Sequence, residues 1–193
     1  MQKTYAIIKI EGEKIMNETT NNQVERKIRK YKTEQIKDED LKEIVSEIKQ
    51  IFDDICIEPE SPDSFKVIVL QNKKTIEKLS KINAWVTGKD TDSFYGAPTV
   101  IVILEDETKV KPHSMIGESA IKLINNKTKI YGVDSEKIIG VKEDFETEEG
   151  KELLEEWNVS DNYVGVGYCI LGYFNEEYFK PKSRKETDIT IIK

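Results

Sequence analysis

Chemistry-bearing side chains are sparse in this sequence, and the densest group is cationic. Residues 181 to 185, PKSRK, set Lys182, Arg184 and Lys185 between the apolar run VGVGYCILGYF and the tail TDITIIK. Arg presents a fork of donors that matches the oxygens of a phosphate, and each charge-assisted hydrogen bond contributes about 1.5–3 kcal/mol net. The cluster is compatible with a phosphate monoester dianion, but residue type alone favours a solvated turn, where Lys and Arg usually sit. Other chemistry finds less material. His113 is the single histidine, follows Pro112 in a charged loop, and has no GxSxG-type nucleophile turn to serve, which argues against a Ser-His-Asp hydrolase. One histidine with scattered carboxylates lacks the spacing of a metal site. Asp-Thr-Asp at 90–92 reads as a capped turn. Cys56 and Cys169 form no CxxC pair and read as two buried free thiols. Gly165, Gly167 and Gly172 lie inside a strand-like run and do not open a helix, so they are no dinucleotide fingerprint.

The elements that must position these groups follow from periodicity. DEDLKEIVSEIKQIFDDI (38–55) places Leu41, Ile44, Val45, Ile48, Ile51, Phe52 and Ile55 on one helical face, with Asp38 as the expected cap. Helices are also expected over residues 17–30, over NKKTIEKLSKINAWV with Asn72 as cap, over Ser114–Asn126, and over 147–157 with Thr147 near the start. In the 114–126 helix, Glu118 and Lys122 stand at salt-bridge spacing. Strands are expected at FKVIVLQ (65–71), TVIVILED (99–106) and GVGYCILGYF (165–174). TVIVIL is apolar at every position, as a central strand covered on both faces would be. TDITIIK has the period of an edge strand, and TYAIIKI at the front has the same period without an assigned partner. Helices and strands mix without a βαβ rhythm, which predicts an α+β fold with helices over one sheet.

With 193 residues the chain suffices for one compact domain. A charged fraction of 35% and a formal net charge of -7 disfavour nucleic acid or an acidic membrane as partner. No apolar run approaches the roughly 20 residues of a membrane helix, and the first residues lack the pattern of a signal peptide, so a cytoplasmic location is expected.

Three stretches together resemble the FMN-dependent nitroreductase family, in an anaerobe-type branch: ERKIRKYKTEQIKDEDLKEIV (25–45), NAWVTGKDTDSFYGAPTVIVILED (83–106) and EDFETEEGKELLEEWNVSDNYVGVGYCILGYFNEEYFKPKSRK (143–185). The resemblance covers roughly residues 16–193, with 1–15 as an amino-terminal extension. It implies an α+β nitroreductase-like subunit with a central mixed β-sheet, an obligate homodimer, and FMN held at the subunit seam and reduced by NAD(P)H. It assigns Arg26, Lys27 and Arg29 of the basic string, with Lys182 and Arg184, to the flavin phosphate. Ser61 and Asp63 fall at the positions that meet the polar edge of the flavin ring. Ile139 and Gly140, in YGVDSEKIIGV (131–141), fall where backbone N–H groups approach flavin N5 and O4. Gly140 also suits an ordinary turn.

The sequence departs from the family pattern at Glu25, in ICIEPESPDSF, and in the 114–126 helix, where Ala120 takes the place of an Asn. Without two neutral hydrogen bonds to the ring, at about 1 kcal/mol each, binding would be roughly thirtyfold weaker. The implied activity is hydride transfer from NAD(P)H through FMN to a small nitro- or quinone-type acceptor. No catalytic side chain is assigned, because the protein's share in flavin chemistry is orientation and tuning. The alternative is a flavin-free relative whose scaffold serves binding or interaction.

Overall fold

TVIVILED becomes the central strand β2 (Thr99–Asp106) because both of its faces are covered: Val100, Ile101, Val102, Ile103 and Leu104 are fully buried in the computed structural model of the chain. The structure describes residues 30–55, 64–110 and 115–175, all within one compact unit, Lys27–Phe179. β2 pairs antiparallel with β1 (Phe65–Leu70) on one side and β4 (Tyr163–Gly172) on the other, and β3 (Asp134–Ile138) adds antiparallel to β4. The strand order is β1-β2-β4-β3. The expected strands TYAIIKI and TDITIIK lie outside the described residues, as do residues 17–29 of the first expected helix.

Two helical layers sandwich this sheet. On one face α1 (Asp38–Ile55) and α3 (Ile116–Thr128) bury Ile44, Ile48, Ile51, Ile121 and Ile124 against Ile101, Ile103, Cys169 and Leu171. On the other, α2 (Lys73–Val86), α4 (Val141–Glu146) and α5 (Glu148–Glu156) bury Ile76, Leu79, Val141, Phe145 and Leu153 against Val100, Val102, Tyr168 and Ile170. The α+β class expected from the sequence holds. Each fully buried Ile or Leu contributes about 1.5–3 kcal/mol through removal from water.

Local signals act largely as read. Asn72 caps α2, its side-chain oxygen accepting from the Thr75 N–H at 3.1 Å, and Thr147 Oγ1 caps α5 by accepting from the Gly150 N–H at 3.0 Å. α1 has the expected bounds, but Asp38 is its first residue and not its cap: the Lys37 carbonyl accepts the first helical hydrogen bond, from the Leu41 N–H at 2.9 Å. Asp38, Glu39 and Asp40 then favour the positive end of the helix dipole. Val45 stands at the margin of the apolar stripe and stays 41% exposed. α3 starts two residues later than expected, and Glu118 pairs with Lys137 at 3.0 Å instead of with Lys122, because β3 runs beside the helix. Cys169 is a buried free thiol, whereas Cys56 and His113 lie outside the described residues.

β4 carries a bulge. Ile103 faces Gly167 across the ladder but Leu104 faces Gly165, so Val166 is an extra residue. Glycine suits both sides of it: a Cβ on Gly165 would lie 2.6 Å from the Val141 carbonyl oxygen, a backbone atom that cannot step aside, and one on Gly167 would displace the Ile121 side chain.

Candidate functional site

At the end of β3 the chain leaves the sheet and enters α4 through two residues. Ile138 is buried, Ile139 is 67% exposed, and Gly140 turns with φ 87° before the first helical residue. That left-handed backbone favours glycine, and a Cβ here would also approach Thr87 Cγ2 to 2.8 Å. Among the described residues, none of the backbone hydrogen bonds of the surrounding turns uses the N–H of Ile139 or of Gly140. Among the described residues, these two N–H groups are thus left unused by the surrounding turns, beside an exposed apolar side chain.

Beneath the turn lies Asn83, on the inner face of α2 and fully buried. Its Nδ2 donates twice, to the Ile139 carbonyl at 2.8 Å and to Asp144 Oδ2 at 2.8 Å. The Asn83 carbonyl in turn accepts from the Thr87 N–H at 2.9 Å and from Thr87 Oγ1 at 2.6 Å, closing the end of α2. Asp144, on α4, is also fully buried, and the Tyr168 hydroxyl of β4 lies beside its carboxyl without a well-formed hydrogen bond. Among the described residues, Asn83 Oδ1, Asp144 Oδ1 and the Tyr168 hydroxyl are buried without a hydrogen-bond partner. Burial pushes the Asp144 carboxyl up to about 6 against the opposing pull of Asn83 and Tyr168, with Glu143 raising it and Lys89 lowering it. The Tyr168 hydroxyl is pushed far above its usual range, first by burial and then by the Asp144 charge.

A separate cavity of about 930 Å³ runs along α2, lined among others by Ser80, Ala84, Trp85, Lys89, Phe94 and Pro98. Ile139 and Gly140 are not among its lining residues. The loop that borders it contains the Asp-Thr-Asp stretch, and Asp92 caps it as expected, accepting from the Phe94 N–H at 2.9 Å, from the Gly96 N–H and from Ser80 Oγ.

Of the residues singled out in the sequence, the structure brings Ile139 and Gly140 together in the turn. Arg26, Lys27, Arg29, Ser61, Asp63, Lys182 and Arg184 lie outside the described residues. What the structure does fix is where the chain enters and leaves the described unit. Tyr31 and Phe174 form an antiparallel bridge, and the Asn175 N–H donates to the Lys30 carbonyl at 3.1 Å. Tyr31 is buried, and its hydroxyl donates to the Ile170 carbonyl at 3.3 Å, which pins the bridge to the sheet. Sequence reasoning missed Asn83 and Asp144, and read Tyr168 only as a core or interface aromatic, which its full burial bears out. The available signal was a polar residue within an apolar stripe: Asn83 follows Ile76, Leu79 and Ile82 on the same helix, and Asp144 stands between Val141 and Phe145.

No described helix is long and apolar enough to cross a membrane. No protein-family model matches the sequence, and no curated protein matches it. Solved structures do. A nitroreductase with bound FMN from Bacteroides fragilis NCTC 9343 superposes with a TM-score of 0.64 at 21% identity, over 87% of this chain and 94% of that one. A nitroreductase with bound FMN from Desulfitobacterium hafniense DCB-2 gives a TM-score of 0.66 at 21% identity, over the same shares of 87% and 94%. An FMN-dependent nitroreductase from Clostridium difficile R20291 gives 0.62 at 23% identity, over 86% and 91%. Their ordered agreement across nearly the whole of both chains leads to one conclusion: this chain has the nitroreductase fold.

Proposed function

We propose that the chain is an FMN-dependent oxidoreductase that passes hydride from NAD(P)H to a small nitro- or quinone-type acceptor, working in the cytoplasm as a homodimer with the flavin at the subunit seam. The observation that carries the reading is the pairing of the two chain ends of the described unit. Lys30 and Asn175 are hydrogen-bonded neighbours, so the described residue that follows the basic string ending at Arg29 lies beside the described residue from which PKSRK begins six residues on. Cations supplied from both strings meet the charge of a phosphate dianion better than either string alone. The Ile139–Gly140 turn suits the other end of such a ligand, since it offers backbone donors unused by the surrounding turns among the described residues, beside an exposed apolar side chain.

When bound, the flavin supplies the redox chemistry. The chain's own residues would bind and orient it: Arg26, Lys27, Arg29, Lys182 and Arg184 would hold the phosphate, Ser61 and Asp63 would meet the polar ring edge, and the N–H groups at 139 and 140 would meet the edge that accepts hydride. Asp63 as a carboxylate only accepts, so it serves a ring N–H and no ring carbonyl. The fold neighbours that contain FMN support this reading. The test is visible absorbance after incubation of the purified protein with FMN and gel filtration. A retained flavin spectrum is expected, and a colourless protein would remove the oxidoreductase reading. Arg184→Glu is expected to abolish retention, and sedimentation is expected to give a dimer.

A further inference from the structure

We infer that Asn83, tied in place by Asp144, is a positioning residue that sets the direction of the backbone donor presented by the Ile139–Gly140 turn. The inference rests on the flavin reading above and adds to it the device that aims the turn. The Ile139 carbonyl and the Gly140 N–H belong to one planar trans peptide unit, so they point in opposite directions. Asn83 Nδ2 holds that carbonyl inward at 2.8 Å. The Gly140 N–H is thereby turned outward. Without the clamp, little else would prevent this peptide from rotating: Ile139 lies outside the ladder of β3, and glycine accepts either sign of φ.

Asn83 could not hold the carbonyl alone, because an amide with one bond can swing about its own side-chain axis. Its second bond, to Asp144 Oδ2 at 2.8 Å, fixes it from below. Asp144 is fixed in turn by its place in α4, where its N–H donates to the Gly140 carbonyl at 3.1 Å and its carbonyl accepts from Thr147 Oγ1 at 2.7 Å. The cluster keeps Asn83 Oδ1 and Asp144 Oδ1 buried without partners among the described residues. Such orphaned atoms cost stability, and a fold retains them most readily where orientation matters.

The experiment uses the full-length protein and FMN, with flavin affinity read by fluorescence and midpoint potential by spectroelectrochemistry. Asn83→Ala is expected to weaken FMN about fivefold, the equivalent of one lost neutral hydrogen bond, and to shift the midpoint potential, because the donor meets an edge whose hydrogen-bonding character changes on reduction. Asp144→Ala is expected to move both in the same direction. Asp144→Asn still offers an oxygen to the Asn83 amide and is expected to restore values close to the unsubstituted protein. If Asn83→Ala does not fold, Asp144→Ala decides, since it unties Asn83 without removing it. Folded variants that keep both the affinity and the potential overturn the inference while leaving the flavin reading intact. An unsubstituted protein that takes up no FMN overturns the flavin reading, and this inference falls with it.

Discussion

On the face of the sheet covered by α1 and α3, the buried residues are almost all branched aliphatics, and the few polar groups are paired. Thr128 Oγ1 donates to Ser135 Oγ at 2.9 Å, and the Cys169 thiol donates to Asn125 Oδ1 at 2.8 Å. The face covered by α2, α4 and α5 also has an apolar core, but it encloses Asn83, Asp144 and Tyr168 with three atoms unpaired among the described residues. An unpaired buried polar atom costs about 1–3 kcal/mol, so the second face gives up stability that the first does not. One face is thus organised to hold the fold, and the other to aim the Ile139–Gly140 turn that lies over it.

Substitutions on each face test that division in graded steps. The greatest change is expected on the apolar face: Ile121→Ala, at a fully buried position packed over Gly167, should lower unfolding free energy by about 2–5 kcal/mol in urea titrations. The folded fraction should still bind FMN with unchanged affinity. A large loss of flavin affinity in that fraction would blur the distinction between the faces.

The polar face should respond to pH instead. The Asp144 carboxyl is raised from its usual 3.8 to about 6, mainly by burial, so the folded state holds the proton more tightly than the unfolded one. The stability that protonation contributes is complete below about pH 4 and is lost as pH rises through about 6. Tyr168, Glu143 and Lys89 are the ionisable groups that act on it. Melting temperatures of the unsubstituted protein should therefore fall across that window, and Asp144→Asn should flatten the fall and melt higher at about pH 8. Identical pH profiles would show that burial of this carboxyl has no thermodynamic weight. The mildest change is expected at Gly140→Ala, about 1–2 kcal/mol from backbone strain at φ 87° and the approach to Thr87. Circular dichroism melts would measure it, and no loss would mean that the turn relaxes.

How much of this could be read in the sequence depended on the range of the interaction. α1, β2 and the caps Asn72 and Thr147 are written in local periodicity and local hydrogen bonds, and the structure keeps them. Ile139 and Gly140 were singled out through motif resemblance. Asn83 and Asp144 were not, because the clamp joins residues 56 and 61 positions apart, and no window of sequence contains both partners. The pairing of Glu118 with Lys137 was missed for the same reason: helical spacing pointed to Lys122, but tertiary packing brought a strand residue closer.

The extra residue in β4 reverses the phase of the strand. Tyr168 and Ile170 point toward the α2 layer, and so does Tyr163, although a regular strand would send residues five apart to opposite sides. Val166 and Gly167, consecutive in the chain, both meet the α3 layer. The strand thus has two halves in antiphase, joined at one residue. Deleting Val166 would repair the ladder but turn Tyr163 out of its layer, so this strand is intolerant of a one-residue change in length between Tyr163 and Tyr168 even where it would accept a change of side chain.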